Sequence, residues 1–253
     1  MNRTIRLENY PKRIVSLVPS QSELLFDLGL ENEVVGITKF CIHPKKWHSN
    51  KTRVGGTKTI NFETIKSLNP DLIIANKEEN TQEEIEALTL LYNVYISDIN
   101  NVEQACDMIL AIGELTNTSD KAISISELIK EDFLNIPSLN GTVLYFIWAN
   151  PYMVAGNNTF IGYLLNKLGL INGVEDVDGR YIEIEEEEIR AIEPKYIFLS
   201  SEPYPFKEKH VTELKKIIPE GEVHLVDGEM FSWYGSRMLK MTNYFIQLFN
   251  TIR

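Results

Sequence analysis

Apolar residues along the chain fall into two alternating kinds of run. Short unbroken runs, RIVSLV (13–18), DLIIA (71–75), TVLYFI (142–147) and YIFL (196–199), have the length and β-branched content of strands buried on both faces. Between them lie segments in which apolar residues recur every three or four positions, as in helices with one buried face. Strands alternating with such helices predict parallel α/β sheets.

The pattern occurs twice. Residues 62–75 read FETIKSLNPDLIIA, and residues 186–199 read EEEIRAIEPKYIFL. Each places a glutamate seven positions before a proline, Glu63 before Pro70 and Glu187 before Pro194. Proline disfavours helix at the residue before it, so each unit predicts a short helix, a stop and a buried strand. Upstream, each half has a strand and then a helix ending in Leu-Gly-Leu, with Gly29 and Gly169 suited to the left-handed position after a helix. The expected architecture is two similar parallel-sheet α/β lobes, residues 1–117 and 137–253, with a ligand cleft between them. Residues 118–136 predict one long helix, capped by Thr118 or Ser119 and ended by Pro137, with Ile123, Leu128, Ile129 and Phe133 as its apolar stripe. At 1.5 Å per residue it is about 25 Å long, enough for a stiff rod joining the lobes. The alternative is one more helix packed on the first sheet.

Composition changes this picture little. A hydrophobic share of 43% and a charged share of 24% are those of a globular protein, and 253 residues suffice for two domains. No run approaches the ~20 apolar residues of a membrane span. A net charge of −11 argues against nucleic acid and suits either a cationic partner surface or plain solubility. Cys41 and Cys106 are too few for a disulfide scaffold and read as ordinary thiols. The first residues have a basic start but no apolar signal region or cleavage motif. As written, the chain is expected in the cytoplasm, or with its export signal removed.

In parallel α/β sheets ligands bind beyond the carboxyl ends of strands. In the first half that places Ser20 with Glu23 (a predicted capping box), the loop 37–48 with Phe40, His43, Trp47 and His48, and the turn 55–58 ending in Lys58. In the second half the matching places are 148–152 with Trp148 and Tyr152, the stretch 179–181 with Arg180, 202–206, and 230–237. In the last of these, Phe231, Trp233 and Tyr234 are expected as a stacking wall and Arg237 as its cationic handle. Such a wall suits a large, flat, partly charged ligand. His43 is the candidate direct or axial metal ligand, and Cys41, His43 and His48 together leave a bare divalent ion as an alternative. His210 reads as solvated and His224 as a core residue. No G-x-S-x-G elbow, H-E-x-x-H, C-x-x-C or strand-following G-x-G-x-x-G occurs, so no enzyme is expected.

The segments PKRIVSLVPSQSELLFDLGL, VVGITKF and VGGTKTINFETIKSLNPDLIIA resemble the class III periplasmic binding proteins of ABC importers, which include vitamin B12, iron-siderophore and haem binders. The resemblance implies a two-lobed monomer, with no intrinsic cofactor, that closes on a metal chelate, either a corrinoid or an iron chelate. It also implies that one exposed glutamate per lobe docks on the membrane permease, and Glu63 and Glu187 stand at those positions. The aromatic that B12-binding relatives carry is kept at Phe40, whereas Lys58 stands near a position where they have another aromatic. Their tryptophan near Met230 is replaced, with Trp233 close by. A cytosolic interaction protein reusing the fold is the remaining alternative.

Overall fold

The computed structural model describes residues 5, 7–174 and 179–252. It divides into two compact units, residues 1–131 with 234–239, and residues 132–233 with 240–253.

The first unit runs β1 (Ile14–Ser16), α1 (Pro19–Asp27), β2 (Val34–Ile37), α2 (Lys45–Asn50), β3 (Thr52–Arg53), β4 (Gly55–Gly56), β5 (Thr59–Ile60), α3 (Phe62–Leu68), β6 (Leu72–Asn76), α4 (Gln82–Thr89), β7 (Val94–Ser97) and α5 (Val102–Leu115). Its main sheet has the order β3-β2-β1-β6-β7 with every pairing parallel. Helices cover both faces, and so β1 and β6 are buried at every residue. The small β4–β5 hairpin stands apart from this sheet.

Helix α6 (Ser119–Leu134) matches the long helix expected from residues 118–136, and the division between units falls inside it. Its apolar stripe needs correction. Ile123 and Leu128 are exposed, and the buried residues are Ala122, Ser126 and Ile129. The reason is Gly113 on α5. A Cβ there would lie 2.3 Å from the Ala122 methyl, so the helices approach through their small residues. Close approach turned the small face inward, at the expense of the greasier one.

The second unit continues with β8 (Gly141–Trp148), β9 (Met153–Ala155), α7 (Phe160–Lys167), β10 (Leu170–Asn172), β11 (Tyr181–Glu183), α8 (Glu186–Ile192), β12 (Tyr196–Ser200), α9 (Glu208–Ile217), β13 (Glu222–Val226), α10 (Glu229–Ser232) and α11 (Met241–Ile252). Strands β8, β12 and β13 pair in parallel, as do β8 and β10. Strands β9 and β11 add an antiparallel extension, because the chain turns back at Asn150 (φ 65°) and returns along β8.

The sequence repeat has a structural counterpart. Helices α3 and α8 each span seven residues, and each ends on a left-handed residue, Asn69 (φ 43°) or Glu193 (φ 49°). Pro70 and Pro194 follow, then five-residue strands β6 and β12 that are buried throughout. Gly29 (φ 90°) terminates α1 in a Schellman motif, in which its N–H donates to Phe26 O and the Leu30 N–H donates to Leu25 O. Gly169 (φ 75°) follows α7, and its N–H donates to Asn166 O.

Candidate functional site

The carboxyl end of the first sheet carries the loop after β2. Phe40 is half exposed there, with its backbone N–H donating to Thr38 Oγ1 and the Lys39 ammonium 5.0 Å from its ring centre. The ring packs against backbone: a Cβ at Gly56 would lie 3.3 Å from Phe40 Cε2. The Lys39 N–H donates to Gly55 O, which ties the loop to the β4–β5 hairpin, and exposed Lys58 sits in that hairpin's turn. His43 is half buried in the same loop.

At the corresponding end of the second sheet Trp148 closes β8 and is 41% exposed, edge-to-face with Tyr204 at 5.5 Å. Of the three tryptophans it alone faces solvent, since Trp47 and Trp233 are buried. Tyr152 points elsewhere, edge-on to Phe146 and bordering a groove of about 330 Å³ lined by Glu186, Arg190, Glu213, Lys216 and Ile217. Burial pushes its phenol pKa up. Arg180 is half buried before β11, and its carbonyl accepts from the Gly156 N–H.

The expected wall at 230–237 is largely core. Phe231 is fully buried among Tyr145, Phe198, Tyr244 and Phe245, with ring centres 4.9–6.3 Å away. Trp233 is buried and its indole N–H donates to Glu202 Oε1 at 2.8 Å; Tyr234 is buried as well. Arg237, expected as a handle for an anion, is 5% exposed and makes a two-pronged ion pair with Glu23, Nε to Oε2 at 2.7 Å and Nη2 to Oε1 at 3.0 Å. That pair also replaces the predicted Ser20–Glu23 capping box. Helix α1 starts at Pro19 with no side-chain cap, and Glu23 serves a residue 214 positions away. Four aromatic or cationic side chains close together in sequence had suggested a ligand wall; each in fact found a partner inside the fold.

The bare-metal alternative is not supported. Among the described residues no group of three or more His, Cys, Asp or Glu side chains is arranged to hold an ion. The Cys41 thiol is fully buried between Ser22 Oγ (3.1 Å) and Thr38 Oγ1 (3.2 Å), and burial pushes its pKa up. His48 Nδ1 lies 3.3 Å from the Cys41 carbonyl. Trp47, read as a loop aromatic, is on α2 and packs edge-on to Phe26 at 5.4 Å. His210, expected in solvent, is buried: its Nδ1 accepts from the Lys207 N–H and caps α9, while Nε2 meets Tyr204 Oη at 3.2 Å.

One half-buried acid lies in the stretch 202–206 that the sequence placed at a strand end. Burial raises the pKa of Glu202 above 4.5, against hydrogen bonds from Ser232 and Trp233 that pull it down. Only its position just after β12 marked it, since a lone glutamate in a loop carries no periodic signal.

Glu63 and Glu187 both lie in the first turn of their helices and are exposed. Asn61 caps α3 by accepting from the Thr64 N–H at 3.0 Å, and Glu188 caps α8 by accepting from the Glu185 N–H at 2.8 Å. Glu187 has Arg190 Nη1 at 3.6 Å, and Arg190 also binds Glu186 at 2.7 Å. Among the described residues Glu63 has no ion-pair partner.

A family model described as periplasmic binding protein matches residues 14–220. A Bacillus subtilis protein named as an uncharacterized ABC transporter substrate-binding lipoprotein is 28% identical over 210 residues, 78% of this chain and 66% of its own length. The match therefore spans slightly less than two thirds of that relative. A vitamin B12-binding protein of Vibrio cholerae is 25% identical over 195 residues, 75% of this chain and 70% of its own. Among solved structures, a periplasmic heme-binding protein, BhuT, in complex with two hemes superposes with a TM-score of 0.83 at 19% identity, covering 97% of this chain and 100% of that one. The periplasmic vitamin B12 binding protein BtuF of Vibrio cholerae gives 0.77 at 21% identity, covering 95% and 97%. These likenesses establish the fold. The family model spans the greater part of both α/β units, and the chain belongs to the periplasmic binding protein family.

Proposed function

We propose that the protein is the substrate-binding component of an ABC-type importer and that its ligand is a metal chelate, a corrinoid, a haem or a ferric siderophore. The observation that carries this reading is that, of the candidate site aromatics, Phe40 and Trp148 are the exposed ones. Both are large aromatics at carboxyl ends of sheet strands, while Trp47, Phe231, Trp233 and Tyr234 are buried. Exposed rings at strand ends, among side chains already satisfied, are stacking surfaces for a broad apolar ligand. The names of relatives support a chelate: vitamin B12 in Vibrio cholerae and cobalamin in Halobacterium salinarum. His43, beside Phe40 in the same loop, is the candidate axial ligand.

The transporter contact is assigned to Glu63 and Glu187. Each stands on a proline-stopped helix braced by a buried strand, and a rigidly presented carboxylate pairs bidentately with a permease arginine. The protein would work as a monomer on the outer side of the cytoplasmic membrane.

The test is a thermal-shift screen against cobalamin, cobinamide, haem, ferric siderophores and divalent metals. A ligand at a hundredfold excess over Kd stabilises the native state by ~2.7 kcal/mol. A shift with one chelate class supports the reading, and shifts with none of the chelates refute it. In cells, Glu63→Ala and Glu187→Ala together should abolish uptake while leaving ligand affinity unchanged.

A further inference from the structure

In a chain of net charge −11, residues 34–62 contain six lysines and arginines, two histidines and no aspartate or glutamate. Much of this charge is engaged: Lys46 pairs with Glu31, Lys51 lies over the Trp47 ring at 5.2 Å, and Arg53 donates to the Lys51 carbonyl. Lys39, Lys45 and Lys58 are different. All three are exposed, and among the described residues none has an ion-pair partner. Lys45 opens α2, whereas Lys39 and Lys58 are brought together by the fold: Lys39 rides on Phe40, Phe40 packs on Gly56, and Lys58 occupies the hairpin turn next to Gly56.

We infer that this rim recognises an anionic chelate, one whose carboxylate or catecholate oxygens meet Lys39 and Lys58 while its flat or aryl part stacks on Phe40. The inference rests on the chelate-binding reading above and narrows it, setting anionic chelates above corrinoids, whose periphery is mostly neutral amide. An ammonium beside an aromatic face offers charge and a stacking surface in one place, which suits an aryl or porphyrin anion. A polyanion such as nucleic acid or an anionic membrane needs a wider basic footprint than two lysines. At the strand ends of the second unit Glu202 is taken up by Ser232 and Trp233, and Asp227 Oδ1 accepts from the Glu229 N–H.

The experiment is a set of fluorescence titrations of the whole protein with haemin, a ferric catecholate, ferric citrate, cationic ferrioxamine B and neutral cyanocobalamin, at low and high salt. At least one of the first three should bind more tightly than the last two, and more weakly in high salt. Lys39→Gln and Lys58→Gln should each weaken it about tenfold, the scale of one charged hydrogen bond. Lys209→Gln, an equal charge loss on α9, should leave it unchanged. Haemin alone would identify the propionates of a porphyrin as the anion, and the catecholate or citrate alone would identify a siderophore. Tighter binding of cyanocobalamin or ferrioxamine B overturns the inference while leaving the chelate reading intact. So does an anionic chelate whose affinity is indifferent to both lysines. Binding of phosphatidylserine vesicles with no chelate bound overturns both.

Discussion

Replacing Arg237 with methionine removes one half of a buried, two-pronged ion pair and leaves the Glu23 carboxylate behind in a site where the two side chains are 5% and 8% exposed. A buried pair broken on one side costs about 3–5 kcal/mol, because the surviving carboxylate stays out of water without its counter-charge. Unfolding entropy of about 2.1 cal/mol/K per residue over 253 residues gives roughly 0.5 kcal/mol/K, so the melting temperature should fall by about 6–9 °C if the chain unfolds as one unit. The double variant Glu23→Leu with Arg237→Met removes the stranded charge and should recover most of that loss. The assay is thermal and urea unfolding of wild type, both single variants and the double, followed by circular dichroism. A single-variant loss below about 1 kcal/mol would show that the pair is solvent-screened like a surface bridge. A double variant as unstable as the two singles added together would show that Glu23 and Arg237 do not act on each other.

Three further outcomes test the placement of other side chains. Glu202 has a raised pKa, so the folded state holds its proton more tightly than the unfolded chain; its contribution favours folding at low pH and is lost as pH rises from about 4.5 through the raised value. Glu202→Gln keeps an acceptor for Ser232 and Trp233, and urea titrations should find it at least as stable as wild type at pH 7 and less stabilised by acid. Trp148→Phe should remove most acrylamide-accessible tryptophan fluorescence, since Trp47 and Trp233 are buried; quenching that persists would place another tryptophan in solvent. His210→Ala removes a helix cap and a buried ring, and should cost about 1–3 kcal/mol in chemical denaturation, whereas a solvated histidine would cost nothing measurable.

The repeated Glu-to-proline unit shows how far local pattern reaches. Pro70 and Pro194 stop their helices whatever surrounds them, and the apolar runs that follow have no polar face, so a two-fold set of α/β elements was readable from residue order. The same holds for Gly29 and Gly169, whose left-handed φ values belong to the chain itself, and for Glu63 and Glu187, charged residues in the exposed first turns of their helices. Phe40 and Trp148 were readable only as members of a larger set. Stacking walls and hydrophobic cores use the same aromatic side chains, and a linear sequence does not say which ring has neighbours on every side. Tertiary structure buried Phe231 among four other rings, Trp233 on Glu202 and Trp47 against Phe26. It also joined Glu23 to Arg237 across 214 positions and turned the small face of α6 toward Gly113. Periodicity is a local property fixed by backbone geometry, whereas burial depends on contacts between segments far apart in the chain. The repeated strands and helices were therefore determined by the sequence alone, whereas short elements such as α2 and the set of side chains left open to a ligand were decided by packing.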